Sequence, residues 1–189
     1  MHAFRLQLAT FRTTLDLLDL DRTEHSLTKA ADLCHTALSS NRPLLVCGNG
    51  GSASDAQHIA GELVGRFLKE RRGLNVRALT ADTAVLTAWA NDYSYETVFA
   101  RQVEAYGTAG GVLLAITTSG NSKNVLAAAA QARAMKMSVI GLTGEGGGKL
   151  GPLCDVLLDV PSRSTPRIQE MHVMLYHYLC ESIEARTEV

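Results

Sequence analysis

Apolar residues recur every three or four positions over residues 1–40 of the chain. The recurring positions are Leu6, Leu8, Phe11, Leu15 and Leu18, followed by Leu27, Ala30, Leu33, Ala37 and Leu38. This spacing is typical of amphipathic helices. Polar residues at 19–23 interrupt the pattern and include helix-capping types. We therefore predict two helices that pack as a hairpin or against another subunit.

After residue 43 the pattern changes to short apolar runs separated by glycine-containing loops and longer helical stretches. Strands buried on both faces are continuous apolar runs, and strands that alternate with helices form parallel sheets. We therefore predict an open α/β sandwich. The predicted strands are residues 44–47, 76–79, 112–116, 138–142 and 156–160. The predicted helices include residues 54–68, 124–135 and 165–186, the last with Ile168, Met171, Leu175, Tyr178, Leu179 and Ile183 on its apolar side.

The chain has 189 residues, and domains usually run to about 100–200 residues. It contains no long Pro-rich, Ser-rich or charged tract that would mark a linker between domains. It also contains no internal repeat. We predict a single domain over residues 1–189, with a helical extension at 1–40 and the α/β sandwich at 41–189.

The amino-acid composition and net charge limit the kinds of partner that the protein is expected to bind. Hydrophobic residues make up 46% of the chain and charged residues 20%, so the chain can bury a core. The net charge of −1 provides no cationic field for a nucleic-acid backbone or an anionic membrane surface. The four cysteines form no Cys-x-x-Cys pair, and no apolar stretch approaches the about 18 residues of a membrane span. We expect a cytoplasmic protein that binds neither nucleic acid nor membranes.

A glycine-rich loop, residues 48–53, lies between the first predicted strand and the next helix. Ligands of open parallel sheets bind beyond the carboxyl ends of strands, where helix N-termini attract anions. Gly50 and Gly51 would let the backbone come close to an anion. The loop also fits the Gly-x-Gly-x-x-Ala pattern of dinucleotide sites, but the acidic residue expected at the end of the second strand is missing.

A second polar loop, residues 117–122, follows the third predicted strand. Its hydroxyl groups belong to Thr117, Thr118, Ser119 and Ser122. Hydroxyl and N–H donors at a strand-to-helix turn suit a terminal phosphate monoester. The alternative is ordinary helix capping, for which serine and threonine are preferred. Neither loop contains Gly-Lys-Ser/Thr, which disfavours a nucleotide triphosphatase.

Ionisable residues on two helices form a candidate metal site. His58 and Glu62 stand four positions apart and share a helix face, while Gln169 and His177 lie on the last helix. These four residues offer nitrogen and oxygen ligands, for which zinc is the leading ion. Gln169 and His177 are about 12 Å apart along a helix, so binding one ion would stretch both side chains. Ligands contributed by two subunits would remove this strain. The alternative for His58 and Glu62 is an ordinary surface pair.

Two other groups are assigned structural roles. His172 is expected to be a packed histidine rather than a ligand. The charged run at residues 69–72 is interpreted as a solvated helix end, with the alternative that its arginines assist binding of an anionic substrate.

Five segments carry a family resemblance. They are Cys47-Gly48-Asn49-Gly50-Gly51-Ser52, Gln57-His58-Ile59-Ala60-Gly61-Glu62-Leu63, Ala90-Asn91-Asp92, Thr117-Thr118-Ser119-Gly120-Asn121-Ser122 and Arg167-Ile168-Gln169-Glu170-Met171-His172. Together they resemble the sugar isomerase (SIS) domain family, and within it the phosphoheptose isomerases. The match runs in order over essentially the whole chain.

The resemblance implies an architecture and a reaction. It implies a flavodoxin-like open five-stranded parallel sheet with helices on both faces, and a homotetramer with active sites at subunit interfaces. The implied reaction converts sedoheptulose 7-phosphate, a small-molecule sugar phosphate, to D-glycero-D-manno-heptose 7-phosphate. That is the first step toward the ADP-heptose of the lipopolysaccharide core.

The resemblance also implies roles for individual residues. Phosphate binding falls to Ser52, Thr117, Ser119 and Ser122, and the sugar is lined by Asn49, Asp92 and Thr118. Gly50, Gly51 and Gln169 complete the substrate-binding set. The implied zinc ligands, for one ion per subunit, are His58, Glu62, Gln169 and His177. Glu62 and His177 are also the implied acid/base pair.

The same family also includes proteins with a different, non-catalytic function. Some SIS relatives are non-catalytic tetramers that bind the bacterial replication initiator, and they share the glycine loop and the Gln-Glu-Met-His stretch. Aldose–ketose isomerisation needs a base at carbon and an acid near the carbonyl oxygen. A scaffold needs neither, so the presence of Glu62 and His177 favours the enzyme.

Overall fold

The protein, seen here as a computed structural model that describes residues 3–187, is built on one parallel sheet. Residues 1–2 and 188–189 of the predicted domain lie outside the described part. The strands are β1 (Leu44–Cys47), β2 (Val76–Ala78), β3 (Val112–Thr117), β4 (Ser138–Thr143) and β5 (Val156–Asp159). The helices of the described residues are α1 (Phe4–Asp16), α2 (Leu20–Ser39), α3 (Gly51–Val64), α4 (Thr83–Asp92), α5 (Val98–Tyr106), α6 (Lys123–Ala134) and α7 (Thr165–Ala185).

The strand order is β2-β1-β3-β4-β5, and every adjacent pair is parallel. This confirms the predicted flavodoxin-like sheet of five parallel strands. The chain moves from β1 outward to β2 and then returns to place β3 on the other side of β1. The crevice between the carboxyl ends of β1 and β3 is therefore the topological switch point of the sheet, where ligands bind in this class of fold.

Side chains alternate across the sheet and build a core on each face. Leu44 and Val46 of β1 pack with α2, α3 and α7, whereas Leu45 and Cys47 pack with α5 and α6. The predicted helices on both faces are thus confirmed. Within residues 3–187, none of the helices combines the length and the apolar character needed to cross a membrane.

The N-terminal pattern is also confirmed as two helices. Asp19 caps α2 by accepting a hydrogen bond from the backbone N–H of Arg22 at 3.0 Å. Phe11 and Leu15 of α1 pack against the same core as α7. The first helices therefore cover the face of the sheet that carries α3 and α7.

Two predicted features of the helices need correction. The helix predicted at 54–68 begins instead at Gly51 and ends at Val64, so the glycine loop contributes its first turn. On α7 the predicted apolar Tyr178 is 45% exposed, and Tyr176 is the buried tyrosine at 2%. The other five residues predicted on the apolar side of α7 are buried, so the correction is confined to Tyr178.

The charged run at 69–72 is not a solvated helix end, because Arg71 is buried. Its guanidinium lies 3.3 Å from the buried carboxylate of Glu184 on α7. The same carboxylate accepts hydrogen bonds from the backbone N–H groups of Phe67, Leu68 and Lys69 at 2.6–2.9 Å. Desolvation opposes ionisation of Glu184, but these three donors and Arg71 outweigh it and hold its pKa below the ordinary value.

This arrangement makes the stability of the fold depend on pH. A depressed pKa contributes stability above the pKa of the unfolded carboxyl, near 4.5, and loses it as the pH falls through the folded value. Glu184→Gln should lower the free energy of unfolding by about 3 kcal/mol at pH 7, since it leaves Arg71 buried without its partner. Urea unfolding measures this loss, with the exposed Glu181→Gln on the same helix as the control. The deficit of Glu184→Gln should narrow at pH 3.5, and a deficit that stays constant with pH would contradict this account.

Candidate active site at the carboxyl ends of β1 and β3

The first polar loop turns directly into α3. Gly50 has φ of +56°, a left-handed conformation that glycine adopts without strain, and α3 begins at the next residue. The backbone N–H groups of Ser52 and Ala53 bond back to the carbonyls of Asn49 and Gly50 at 3.0 Å each. The buried Ser52 therefore lies in the first turn of the helix, at the positive end of its dipole.

Three hydroxyl groups converge in the second loop, which follows β3. The Thr117 Oγ1 lies 2.9 Å from the Ser122 Oγ and 3.4 Å from the Ser119 Oγ. Gly120 has φ of +66°, and the backbone of Gly147 lies so close that a Cβ would not fit. The turn at Gly120 thus gathers hydroxyl donors at the N-terminus of α6, as expected for binding an anion.

A network of amides joins the two loops. The Asn49 side chain donates to the Asn124 Oδ1 at 2.9 Å and accepts from the Asn124 Nδ2 at 2.8 Å. The Tyr95 hydroxyl donates to the Asn49 Oδ1 at 2.9 Å. The loops after β1 and β3 therefore form one connected surface. Sequence reasoning singled out Asn49 but missed Asn124 and Tyr95, whose partners lie far away along the chain.

Helices α3 and α7 bring three ionisable side chains into one cluster. The His58 Nε2 lies 3.0 Å from the Glu62 Oε1 and 3.5 Å from the His177 Nε2. One ligand atom of each of the three residues lies within 4.8 Å of the other two. The Phe67 ring packs beside the His177 ring with centroids 5.6 Å apart. The predicted pairing of Glu62 with the distant His177 is thus present within one chain.

The cluster fits a zinc ion by its donor set and its spacing. Two imidazoles and a carboxylate are common zinc ligands, with bonds of about 2.0–2.2 Å. Two such bonds at a tetrahedral angle place their ligand atoms about 3.4 Å apart, close to the 3.0 and 3.5 Å separations at His58. These three side chains are therefore able to hold a divalent cation.

The structure does not bring Gln169 to the cluster within one chain. Its carboxamide lies against the Cα of Gly51 and leaves no room there for a Cβ. Gly51 precedes His58 by seven helical residues, or about 10 Å of α3. Gln169 therefore lies beside the first polar loop, at the opposite end of the α3–α7 contact from His177.

The remaining predicted sugar-lining residues are dispersed. Thr118 is half-buried, and its carbonyl accepts a hydrogen bond from the Gly144 N–H at 3.1 Å. Asp92 is exposed at the end of α4 and accepts from Asn91 at 2.8 Å. In the described part of the chain, no hydrogen bond joins Asp92 to another predicted site residue.

His172 on α7 is a packed histidine, as predicted. It is fully buried, and its Nε2 lies 3.1 Å from the Thr143 carbonyl oxygen. Burial lowers the pKa of His172 to about 4, against the opposing effect of that hydrogen bond, so the ring is neutral at pH 7. A neutral ring facing a carbonyl donates its Nε2–H.

Two polar residues beside His58 were missed by sequence reasoning. The Tyr176 hydroxyl lies 2.9 Å from the His58 Nδ1, and Asp55 lies on α3 one turn before His58. Burial raises the pKa of Asp55, while the charge of His58 and the Tyr176 hydroxyl act in the opposite direction. The signal available in the sequence was the three-residue spacing of Asp55 and His58, which places both side chains on one helix face.

Comparison with known proteins assigns this arrangement to a family. The SIS domain model matches residues 12–144. The phosphoheptose isomerase of Helicobacter pylori strain P12 is 53% identical over 165 residues, which cover 87% of this chain and 86% of that protein. The phosphoheptose isomerase of Burkholderia pseudomallei strain 1710b is 49% identical over 173 residues, covering 92% and 88%.

Solved structures agree with this assignment. Phosphoheptose isomerase GmhA from Neisseria gonorrhoeae is 42% identical with a TM-score of 0.84, over 96% of this chain and 95% of that one. A phosphoheptose isomerase from Francisella tularensis is 36% identical with a TM-score of 0.87, over 98% and 100%. The chain therefore belongs to the SIS domain family and is an isomerase of its phosphoheptose isomerase branch.

Proposed function

We propose that this enzyme converts sedoheptulose 7-phosphate to D-glycero-D-manno-heptose 7-phosphate, the first step in making ADP-heptose for the lipopolysaccharide core. The observation that carries the proposal is the meeting of Glu62 with His177 in one cluster, about 9 Å along α3 from loops suited to a phosphate. The names of the relatives support the substrate class. A replication-initiator scaffold would have no chemical use for this carboxylate and imidazole.

The phosphate end of the substrate is held at the two polar loops. Ser52, Thr117, Ser119 and Ser122 are the proposed phosphate-binding residues, with backbone of Gly50 and Gly51 approaching from the first loop. From Ser52 to His58 is about 9 Å along α3. An open-chain seven-carbon sugar held by its phosphate extends along this helix toward the cluster. Asn49, Asp92, Thr118 and Gln169 are the proposed contacts of the sugar along the way.

Isomerisation moves hydrogen between the first two carbons of the sugar. Glu62 removes a proton from C1 of the ketose, and the C2 oxygen receives a proton with the assistance of His177, which gives an enediol. The C1 hydroxyl then loses its proton toward His177, and Glu62 returns a proton to C2. The aldose results with every proton accounted for, and the roles reverse with the direction of reaction.

The proposed cofactor is one zinc ion per subunit, held by His58, Glu62 and His177. When bound, it would supply electrostatic stabilisation to the developing oxyanion. Gln169, the fourth ligand that the family resemblance implies, lies at the other end of the α3–α7 contact within this chain.

We also propose a homotetramer with active sites at subunit interfaces, in the cytoplasm. Exposed apolar side chains support association between copies, since a patch that one chain leaves uncovered is a common interaction site. Leu17, Leu20, Met174 and Tyr178 are 45–70% exposed. α4 contributes no fully buried side chain although most of its residues are apolar. A second copy that reaches the cluster would also supply the missing fourth ligand.

Replacing the proposed base tests the reaction. Glu62→Gln should retain the fold and substrate binding but lose turnover of sedoheptulose 7-phosphate by about 100-fold or more, because general acid–base catalysis contributes at least that much. Aldose formation measures the loss, and Glu104→Gln, an exposed carboxylate on α5, is the control. Normal turnover by Glu62→Gln would exclude Glu62 as the base.

Removing hydroxyl groups tests the phosphate site. Thr117→Val and Ser122→Ala should each raise the KM for the sugar phosphate by roughly tenfold, because a hydrogen bond to a charged group contributes about 1.5–3 kcal/mol. Steady-state kinetics measures KM, and the exposed Thr36→Val on α2 serves as the control. An unchanged KM in both variants would place the phosphate elsewhere.

Calorimetry tests the metal site. Chelator-treated wild-type protein should bind one zinc ion per chain, and His58→Gln and His177→Gln should bind none measurably, since each loses one of three ligands. His25→Gln, an exposed histidine on α2, should bind zinc like the wild type. Equal binding by all four proteins would show that the ion is held outside the cluster.

A further inference from the structure

A buried tyrosine touches the cluster without a role in the proposed reaction. Tyr176 on α7 is 2% exposed, and its hydroxyl lies 2.9 Å from the His58 Nδ1. Its ring packs edge-on against the rings of His58 and His177, with centroids 5.4 and 4.9 Å away. A phenol that served packing alone would have no need to direct its one polar atom at an imidazole nitrogen.

The two nitrogens of His58 face different partners. Its Nε2 points at Glu62 and His177, whereas its Nδ1 points at Tyr176. A neutral imidazole carries a single proton, and only the nitrogen without that proton binds a cation. For Nε2 to serve the cluster, the proton must reside on Nδ1, and Nδ1–H then requires an acceptor. The Tyr176 oxygen is the atom in place to accept it.

A hydroxyl that accepts from a histidine must send its own proton elsewhere. Asp55 precedes His58 by one turn on the same face of α3, so its carboxylate lies on the side of the helix that Tyr176 contacts. The Asp55 Oδ2 is buried and has no hydrogen-bond partner among residues 3–187. A buried acceptor without a donor is costly. The phenolic proton of Tyr176 is the nearby donor that would satisfy it.

We propose that Tyr176 and Asp55 are positioning residues that keep the proton of His58 on Nδ1 and so leave its Nε2 lone pair facing Glu62 and His177. The proton chain runs from the His58 Nδ1–H to the Tyr176 oxygen and from the Tyr176 hydroxyl to Asp55. Metal-binding histidines are commonly oriented by partners on their second nitrogen, and loss of such partners weakens metal binding about 10- to 100-fold. This proposal rests on the cluster of the proposed function but not on its substrate.

The tautomer of His58 in metal-free protein is the direct test. Tyr176→Phe removes the acceptor at Nδ1, so the proton should move to Nε2, where the Glu62 carboxylate accepts it. Nitrogen–proton correlation spectra of histidine-labelled protein report the tautomer, with His58 assigned through His58→Gln. If Tyr176 were instead the donor to Nδ1, its loss would favour the Nδ1–H form. A shift in that direction, or no shift, would overturn the proposal.

Metal affinity gives a second readout. By calorimetry, Tyr176→Phe should bind zinc about 10- to 100-fold more weakly than the wild type. Tyr178→Phe, which removes an exposed hydroxyl from the same helix, should bind zinc normally. Asp55→Leu should act in the same direction as Tyr176→Phe, because the phenolic proton then turns toward Nδ1. Wild-type affinity in both Tyr176→Phe and Asp55→Leu would overturn the proposal.

The two tests separate this proposal from the proposed function. If the wild type fails to bind zinc or to isomerise the sugar phosphate, the proposed function loses its support, while the tautomer of His58 still decides the role of Tyr176. Circular dichroism and urea unfolding of Tyr176→Phe verify the fold. If Tyr176→Phe is unstable, the zinc affinity of Asp55→Leu tests the proposal independently.

Discussion

The site depends on the register of one helix pair. α3 and α7 run side by side in the same direction, with Gly51 against Gln169 at one end and His58 against His177 at the other. A slip of one helical turn would move facing side chains about 5.4 Å apart along the axis and disperse the cluster. The small size of Gly51 matters here, because a side chain at that position would displace the Gln169 carboxamide from the first polar loop.

The far end of the same helix pair is held by the buried carboxylate of Glu184. Through its hydrogen bonds to three backbone amides, it fixes the segment that leaves α3, and Arg71 completes the contact by donating to the carbonyl of Glu62 at 2.8 Å. The segment includes Phe67, whose ring lies beside His177. The Arg71–Glu184 pair therefore stabilises the backbone segment that supports the cluster. Burial of the Glu184 charge is tolerated because both carboxylate oxygens accept hydrogen bonds.

The sheet was largely predictable from the sequence. All five strands were predicted to within one residue at each end, because buried parallel strands are short, continuous apolar runs. α4 and α5 were not predicted. α4 has no fully buried residue and hence no clear apolar stripe. The early start of α3 was missed because glycine at a helix start is indistinguishable in sequence from glycine in a loop.

The candidate site was predictable only in part. Spacing placed His58 and Glu62 on one helix face, residue type grouped His177 with them as a candidate ligand, and the family resemblance added the acid/base roles of Glu62 and His177. Periodicity alone selected Tyr178 over Tyr176, because both fall near the edge of the apolar stripe and only packing against α3 decides between them. Arg71 was misjudged for the same reason: its partner lies 113 positions away, and long-range pairs leave no local pattern.

The carboxamide of Asn49 has one N–H donor without a hydrogen-bond partner among residues 3–187. Its oxygen already accepts from Asn124 and Tyr95, and one of its two N–H groups is donated back to Asn124. Because an amide has two N–H donors, one N–H of Asn49 is left to bind a ligand in the crevice. Asn49 therefore offers a ligand in the crevice one hydrogen-bond donor and no free acceptor, which suits an oxygen of the ligand rather than an N–H group.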